Sequence, residues 1–192
     1  TYAPAIDYDG GKYGIGMLSK EKPLGYKRLP LPGREEARTL LIVEFEKYIY
    51  CCTHLSLTEE DRMLSLPVIR QAAASANKPF FIAGDMNARL GSDFIRQLQN
   101  DFVILTDMKK PTFPADKPDE TIDYIAVCAR DTATFTRIST HVWDEPAASD
   151  HRPVITDIIF NQPATKIFRT EPYLQNPVGN GITVMWQTTV PT

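Results

Sequence analysis

The strongest constraint on the fold of this chain is a series of short apolar runs, rich in β-branched and aromatic residues, that alternate with polar segments. Such runs are typical of strands, because branched and aromatic side chains pack well on a pleated surface. The predicted strands are Gly14–Leu18, Thr39–Phe45, Tyr48–Thr53, Pro79–Ala83, Phe102–Leu105, Ile122–Cys128, Thr132–Thr140 and Val154–Phe160.

Two segments have helical character. In Thr58–Ala76 apolar residues recur with i+4 spacing, and Thr58 with Asp61 approximates a capping pair. Pro67 is expected to kink this helix or to begin its second part. Ser92 is a suitable N-cap for a second helix, Ser92–Leu98. Two layers of strands with flanking helices predict an α+β or α/β sandwich.

Composition limits the classes of function. The 192 residues are 43% hydrophobic and 23% charged, which is enough for a buried core and, by default, one main domain. Twenty-one Lys and Arg against 24 Asp and Glu give a net charge of -3, so the chain lacks the basic excess of proteins that bind long nucleic acids. No apolar stretch is long enough to span a bilayer. Cys51, Cys52 and Cys128 lie in or beside apolar runs, which favours buried thiols over disulfides or a zinc site.

The sequence changes character near Asn161. We expect residues 1–160 to form the main domain, residues 161–170 a linker and residues 171–192 the start of a second domain. Ile182–Gln187 alternates apolar and polar residues, with Trp186 on the apolar face. One or two strands cannot bury such a face alone, so we expect the chain to end inside the second domain.

Polar residues cluster at the ends of the predicted strands. His54 ends the strand in CCTHLSL, Asp85 and Asn87 follow the run in FFIAGDMNARLGS, Asp123 begins the strand in TIDYIAV, and Asp150 and His151 precede the strand in AASDHRPVITD. Because strand ends are where a rigid sheet holds polar side chains around a pocket, one shared cleft explains these residues together. Asp85 and Asn87 point to the same side if the backbone stays extended, whereas Asp150 and His151 serve one pocket only if the chain turns between them.

The ordered set YGIGMLSK, THLSL, GDMN, TIDYI and SDHRPV resembles the endonuclease/exonuclease/phosphatase superfamily of metal-dependent phosphohydrolases, which includes deoxyribonuclease I. The resemblance covers about Tyr2–Phe160 and implies an α+β fold, a four-layer α/β/β/α sandwich. In that family an Asn-bearing strand and a Gln-Glu motif, whose Glu is a principal metal ligand, precede the segment that matches YGIGMLSK. Nothing here matches them, so we expect the domain to be incomplete at its N-terminus and the chain alone to be weakly active or inactive.

The resemblance implies a metal centre and a catalytic dyad. Asp150 would be the metal ligand, and Mg²⁺ is the expected ion, with Mn²⁺ or Ca²⁺ as alternatives, because hard cations bind carboxylates and phosphate. Asp123 would polarise His151. Either His151 or Asp85 would act as the base towards the attacking water.

The resemblance also implies substrate contacts. Asn87 would donate to a non-bridging phosphate oxygen, and His54 would contact the phosphate or protonate the leaving oxygen. Glu36 and Arg38 in REEARTLL are weaker candidates: Glu36 would orient His54, although a solvated charge cluster explains the pair about as well. A structural role is expected for Tyr13.

The expected function is divalent-metal-dependent hydrolysis of a phosphate mono- or diester by in-line attack of an activated water. The connection before TIDYI is acidic, through Asp116, Asp119 and Glu120, which favours a small phosphate ester or phosphodiester over duplex DNA. A nuclease acting on DNA or RNA is the alternative among the enzymes, and a non-catalytic binding domain is a third possibility.

The tail PYLQNPVGNGITVMWQT resembles the opening strands of the fibronectin-like domain of purple acid phosphatases. From this resemblance we expect a secreted or periplasmic protein. No specific protein partner is implied.

Overall fold

The computed structural model describes residues 1–161 with their side chains, and the backbone of residues 168–178 and 181–188. The chain divides into two compact units, Thr1–Phe160 and Asn161–Thr192. In chain order the first unit contains β1 (Tyr2–Tyr8), β2 (Gly11–Gly16), β3 (Gly25–Leu31), β4 (Arg38–Glu44), β5 (Ile49–His54), α1 (Glu59–Ala74), β6 (Phe80–Asp85), α2 (Asp93–Leu98), β7 (Phe102–Ile104), β8 (Asp123–Cys128), a 3₁₀ helix (Ala129–Thr134), β9 (Phe135–Val142) and β10 (Val154–Phe160).

A six-stranded mixed sheet forms the centre of this unit. Its spatial order is β3-β4-β5-β6-β8-β7. Strands β5 and β6 are parallel and α1 is the crossover between them, whereas the other neighbours are antiparallel. Two hairpins, β1-β2 and β9-β10, pair separately from this sheet.

The two faces of the central sheet bury different partners because side chains alternate along each strand. In β4, Leu40 and Ile42 belong to the apolar cluster that includes residues of α1 and α2, whereas Leu41 and Val43 pack with Ala3 of β1. In β6, Phe81 packs with Phe135 at the start of β9. Helices therefore cover one face and the two hairpins cover the other.

These layers confirm the predicted α+β fold, with one layer of strands packed on another. Both described helices lie on the same side of the sheet, so they supply one of the two helical layers of the four-layer sandwich. Within the part of the chain that the structure describes, neither helix is long and apolar enough to cross a membrane. Cys51 and Cys128 are buried, as predicted, whereas Cys52 is half-buried.

Helix α1 departs from the sequence prediction in two details. It continues through Pro67 without a break, so Pro67 does not begin a second part of the helix, whereas the expected kink stays a prediction. The cost of an internal proline, about 3 kcal/mol, is offset by the burial of residues such as Leu66 and Ile69 against the sheet. Thr58 is the N-cap by position, but its side chain makes no capping bond. The carboxylate of Asp61 accepts instead from the backbone N–H groups of Arg34 and Glu35, at 2.9 and 3.0 Å.

Other predicted elements shift or were missed. Ser92 caps α2 as expected, since its hydroxyl accepts from the Ile95 N–H. The 3₁₀ helix occupies the predicted start of the strand Thr132–Thr140, so β9 begins at Phe135. Strands β1 and β3 were not predicted; Pro4 and Pro30 interrupt their patterns, and prolines are tolerated in strands mainly at edges and bulges.

The second unit contains one antiparallel hairpin, β11 (Phe168–Val178) with β12 (Gly181–Thr188). Strand β12 contains the predicted strand Ile182–Gln187, and β11 begins within the predicted linker, residues 161–170. The rest of that linker, residues 162–167, and the side chain of Trp186 lie outside the described residues. The purple acid phosphatase-like character of this segment stays a prediction.

Candidate active site

Strand pairing alone brings three predicted site residues side by side. His54 is the register partner of Asp85 across the parallel pair β5-β6, and Asp85 is the partner of Asp123 across the antiparallel pair β6-β8. Register partners project from the same face of a sheet. These three residues therefore form a row across one edge of the sheet, on the face that the hairpins cover.

Gly84 makes this row possible. Its φ is +143°, and a Cβ built on it would lie 1.8 Å from the carbonyl oxygen of Thr53 on β5. Only glycine fits a backbone that approaches its neighbour so closely with a positive φ. The glycine of GDMN thus sets the position of Asp85.

A tight turn follows Asp85 and brings Asn87 back towards it. The backbone does not stay extended here: Asn87 has a φ of +47°, and its N–H donates to Oδ1 of Asp85 at 2.7 Å. Asn tolerates this left-handed conformation better than most residues. The Asn87 side chain donates through Nδ2 to the carbonyl oxygen of Leu55 at 2.9 Å. That bond fixes the amide while one N–H and the amide oxygen stay available to the cavity that Asn87 lines.

The structure brings the two residues of the predicted dyad, Asp123 and His151, into contact. Nδ1 of His151 lies 2.9 Å from Oδ2 of Asp123, and its Nε2 lies 3.9 Å from Oδ2 of Asp85. The turn before β10 is held by the Ser149 hydroxyl, which accepts from the N–H of His151 at 3.1 Å. Burial lowers the pKa of His151, but the hydrogen bond and the charge of Asp123, together with the charges of Asp85 and Asp150, outweigh burial, so its pKa lies above the ordinary value.

His54 lies at the other end of the row. Its Nε2 is 3.3 Å from Oδ2 of Asp85, and its Nδ1 is 3.4 Å from the hydroxyl of Tyr13 on β2. Burial, helped by the positive charge of Arg38, lowers the pKa of this histidine. A neutral His54 with its proton on Nε2 faces an ionised Asp85 favourably, and Nδ1 then accepts from Tyr13.

Asp85 occupies the centre of the cluster and carries the largest perturbation. Burial raises its pKa to about 6, and the neighbouring Asp123 carboxylate adds to the rise, against the lowering effect of the Asn87 N–H. In residues 1–161 neither Asp85 nor Asp123 forms an ion pair with a lysine or an arginine. A carboxylate pair that no lysine or arginine neutralises favours the binding of a cation.

The donor set fits a divalent metal ion. One ligand atom each from Asp85, Asp123 and His151 lie within 4.8 Å of one another. Asp150, the predicted metal ligand, is exposed and lines the same cavity, but it is not a member of this three-residue group. Carboxylate oxygens are the protein ligands that Mg²⁺ prefers.

All six main candidates line one open cavity of about 790 Å³: His54, Asp85, Asn87, Asp123, Asp150 and His151. The weaker candidates, Glu36 and Arg38, do not line it and form an ion pair with each other at 3.1 Å. The hydroxyl of Tyr13 contacts Nδ1 of His54, while Glu36 and Arg38 act on this histidine through their charges; the expected orienting role of Glu36 stays a prediction.

Sequence reasoning missed several residues of this cavity. Tyr13 was given a structural role, yet it lines the cavity and contacts His54. Phe113 places its ring 4.7 Å from the His151 ring, and Arg62, Arg89 and Glu120 also line the cavity. Arg62 follows THLSL closely in the sequence, and Arg89 follows GDMN. Their positions next to these motifs could have identified both arginines as candidate residues of the cavity.

Solved structures of similar fold include enzymes that act on phosphate groups. A mannosyl-6-phosphatase from Bacteroides thetaiotaomicron is 15% identical, with a TM-score of 0.61 over 72% of this chain and 67% of that one. TDP2 from D. rerio, complexed with a single-strand DNA product, is 19% identical, with a TM-score of 0.57 over 72% and 68%. The human Nocturnin catalytic domain with bound sulfate is 15% identical, with a TM-score of 0.61 over 84% and 71%.

At these identities the likeness shows the fold alone, and the chain spans about two thirds of the length of most of these structures. No curated protein sequence matches the chain significantly. The family model for endonucleases, exonucleases and phosphatases, which are enzymes that cleave phosphoester bonds, matches residues 2–151, which include every main candidate residue. This chain therefore belongs to the endonuclease/exonuclease/phosphatase family.

Proposed function

We propose that this protein is a divalent-metal-dependent phosphoesterase that hydrolyses a phosphate mono- or diester by in-line attack of an activated water. One observation carries the proposal: the row His54, Asp85 and Asp123 lies in one cavity with His151, whose ring contacts both carboxylates. A cluster of coupled titratable groups in an open cavity is typical of a catalytic centre.

His151 and Asp85 are the two groups that can accept the proton of the attacking water. Asp123 fixes the proton of His151 on Nδ1, which leaves Nε2 facing Asp85 at 3.9 Å. A water between Nε2 and the Asp85 carboxylate is within hydrogen-bond reach of both. Asp85 orients that water when His151 is the base, and it accepts the proton itself when His151 is charged.

The metal ion would be held by a carboxylate at the wall of the cavity, with Asp150 as the predicted ligand, beside the group formed by Asp85, Asp123 and His151. When bound, Mg²⁺, or Mn²⁺ or Ca²⁺ in its place, neutralises charge on the phosphoryl oxygens. The protein residues then position substrate and water around that charge.

Asn87 and His54 serve the substrate. The free N–H of the Asn87 amide donates to a non-bridging phosphoryl oxygen, where negative charge grows in the transition state. The Nε2–H of His54 donates to the phosphoryl group or to the leaving oxygen. Tyr13 supports this role because its hydroxyl contacts the opposite ring nitrogen.

The rim of the cavity favours a small ester over a duplex. Glu120, one of the acidic residues noted in the sequence, lines the cavity and forms an ion pair with Arg89. An arginine whose charge is neutralised by a carboxylate attracts the phosphates of a nucleic-acid backbone less strongly. A nuclease remains the second candidate within the same chemistry.

The test is hydrolysis by the 192-residue chain of p-nitrophenyl phosphate, bis-p-nitrophenyl phosphate, single-stranded RNA and plasmid DNA, with MgCl₂ and with EDTA. We expect weak, Mg²⁺-dependent turnover, fastest on a small ester. His151→Gln is expected to lower kcat by about 10²–10⁴. His141→Gln is the matched control, because His141 is exposed on β9 and outside the cavity.

Each outcome has a defined meaning. Turnover that EDTA leaves intact contradicts metal dependence, and equal loss in both histidine variants contradicts the assigned dyad. Fastest turnover on DNA or RNA replaces the small-ester assignment by the nuclease. If all substrates stay at the rate of the His151→Gln variant, the 192-residue chain by itself does not catalyse hydrolysis, and the proposed function fails for it.

A further inference from the structure

Arg62, in the first turn of α1, is the one basic residue that is buried among residues 1–161, with 7% of its surface exposed. It also lines the candidate active-site cavity, together with Asp85 and Asn87. A buried guanidinium is costly unless its charge and its donors are matched. Within this range, the protein contacts of Arg62 satisfy only some of its hydrogen-bond donors and do not pair its charge.

The protein holds one end of the guanidinium firmly. Nη1 donates to the carbonyl oxygens of Ser56 and Leu57, at 2.9 and 2.8 Å. These carbonyls belong to the loop after β5, beside Leu55, which accepts from the Asn87 amide. The plane of the guanidinium is therefore fixed relative to Asn87.

The rest of the guanidinium has no protein partner in the described part of the chain. Nε is buried without a hydrogen bond. Among the described residues no hydrogen bond involves Nη2, which is not among the fully buried atoms, and the guanidinium nitrogens form no ion pair with a carboxylate. Arg70 on the same helix contrasts with it, since Arg70 is paired with Asp101 at 2.5 Å.

A fixed, incompletely paired guanidinium at a cavity is what an anion site needs. Arginine donors match the geometry of phosphoryl oxygens, and a group already held in place loses little entropy on binding. The same cavity carries the carboxylates of Asp85, Asp123, Asp150 and Glu120, which repel an anion. A positive charge belonging to the protein offsets that repulsion beside the phosphoryl group.

We propose that Arg62 is a substrate-binding residue that donates from Nη2, the nitrogen that has no protein partner in the described part of the chain and is not fully buried, to a non-bridging oxygen of the phosphoryl group. This inference rests on the proposed function for the identity of its ligand, a phosphate ester. It adds a binding residue on α1 to the candidates found at the strand ends. Arg62 and Asn87, which are tied to the same loop, would contact the same group.

The first experiment needs no variant. Inorganic phosphate is titrated into the ¹⁵N-arginine-labelled 192-residue chain in the presence of MgCl₂, and the side-chain Nε resonances are followed. We expect the Arg62 signal to shift and saturate with the same Kd as calorimetry gives, while the Arg70 signal stays in place. Phosphate that does not bind, or that binds without moving Arg62, overturns the inference.

The second experiment separates anion binding from the support that Arg62 gives to the loop. Arg62→Gln is expected to weaken phosphate binding by about tenfold to a hundredfold, the effect of one lost charge-assisted hydrogen bond. Arg62→Lys keeps the charge without the planar fork, and we expect a smaller loss. Arg70→Gln on the same helix is the matched control, with an unchanged Kd. Thermal unfolding of each variant shows whether it is folded at the assay temperature.

The two proposals fail separately. Phosphate binding through Arg62 without any turnover supports this inference and contradicts the proposed hydrolysis. Turnover whose inhibition by inorganic phosphate is unchanged in Arg62→Gln or Arg62→Lys supports the hydrolysis and overturns the role of Arg62.

Discussion

The hydroxyl of Thr112 donates a hydrogen bond of 2.6 Å to Oδ2 of Asp123, the same oxygen that contacts His151. Thr112 is fully buried, and its hydroxyl also accepts from the N–H of Ile122 at 3.3 Å. Its carbonyl oxygen accepts from the N–H of Arg152, next to His151, at 2.7 Å. One residue outside the recognised motifs thus ties the start of β8 to the turn that carries the histidine.

Thr112→Val is expected to lower kcat by about tenfold or more with little change in KM, because Asp123 loses the donor that fixes it while the substrate contacts stay. Thr112→Ser keeps the hydroxyl and is expected to retain most of the activity. The buried Ile122 N–H also loses its partner in the valine variant, which costs about 1–3 kcal/mol of unfolding free energy. Steady-state kinetics and urea unfolding measure the two effects; an unchanged kcat in Thr112→Val contradicts the positioning role.

Asp85→Asn is expected to stabilise the fold at pH 8 and not at pH 4. The pKa of Asp85 is raised from 3.8 to about 6 in the folded chain, so its contribution to stability is complete below 3.8 and is lost as the pH rises through 6. Asparagine stays neutral at both pH values. The gain at pH 8 is about 1–3 kcal/mol, from urea unfolding.

Asp150→Asn is the control for that experiment. Asp150 is exposed in the same cavity, and its substitution is expected to change the unfolding free energy by less than about 0.5 kcal/mol at either pH. If both variants raise the unfolding free energy at pH 8 by a similar amount, the cause is repulsion among the carboxylates and not the burial of Asp85.

The pH profile of kcat/KM is expected to rise through about pH 6. Burial raises the pKa of Asp85 to about 6, and Asp123 raises that of His151, so the pair must lose protons before either group can accept one from water. Because the two groups interact, the rise belongs to the pair. Rates measured from pH 4.5 to 8.5 test this. A profile that is flat across pH 6 contradicts a base in this cluster.

Gly84→Ala is expected to prevent folding or to cost more than about 3 kcal/mol, because its Cβ would overlap the Thr53 carbonyl oxygen and its φ is +143°. Gly25→Ala on the edge strand β3 is the matched control, since no atom lies within 4 Å of its new Cβ. Thermal unfolding followed by circular dichroism separates the two. A Gly84→Ala variant as stable as Gly25→Ala would show that β5 and β6 are farther apart.

Asn87→Gly and Asn87→Ala separate conformation from chemistry at one position. Both variants lose the amide, and both are expected to lower kcat by about tenfold to a hundredfold. Glycine accepts the φ of +47°, whereas alanine adds a strain of about 1–2 kcal/mol. We therefore expect reduced stability from Asn87→Ala relative to Asn87→Gly. Full activity in the glycine variant contradicts a role for the amide.

Local pattern was enough to predict much of the fold. Strands β4, β5, β6 and β8 lie inside the sheet, are buried or half-buried along their length and contain apolar runs, so their positions could be predicted from the local sequence. Edge strand β3 is mostly exposed, contains Pro30 and lacks a regular alternation of apolar and polar residues. It is a strand because it pairs with β4, and that pairing leaves no signal in its own sequence. Helix α1 crosses Pro67 because tertiary burial outweighs a local preference.

The sequence by itself determined the chemistry available: carboxylates, an amide and histidines at strand ends, and the glycine that Asp85 requires. Tertiary structure decided their geometry, because the register of β5, β6 and β8 sets His54, Asp85 and Asp123 in a row. Tertiary structure also decided which side chains from outside the sequence motifs lie beside these three residues. Tyr13, Thr112 and Arg62 meet the cluster only through pairing and packing between distant segments, and no local pattern encodes such contacts.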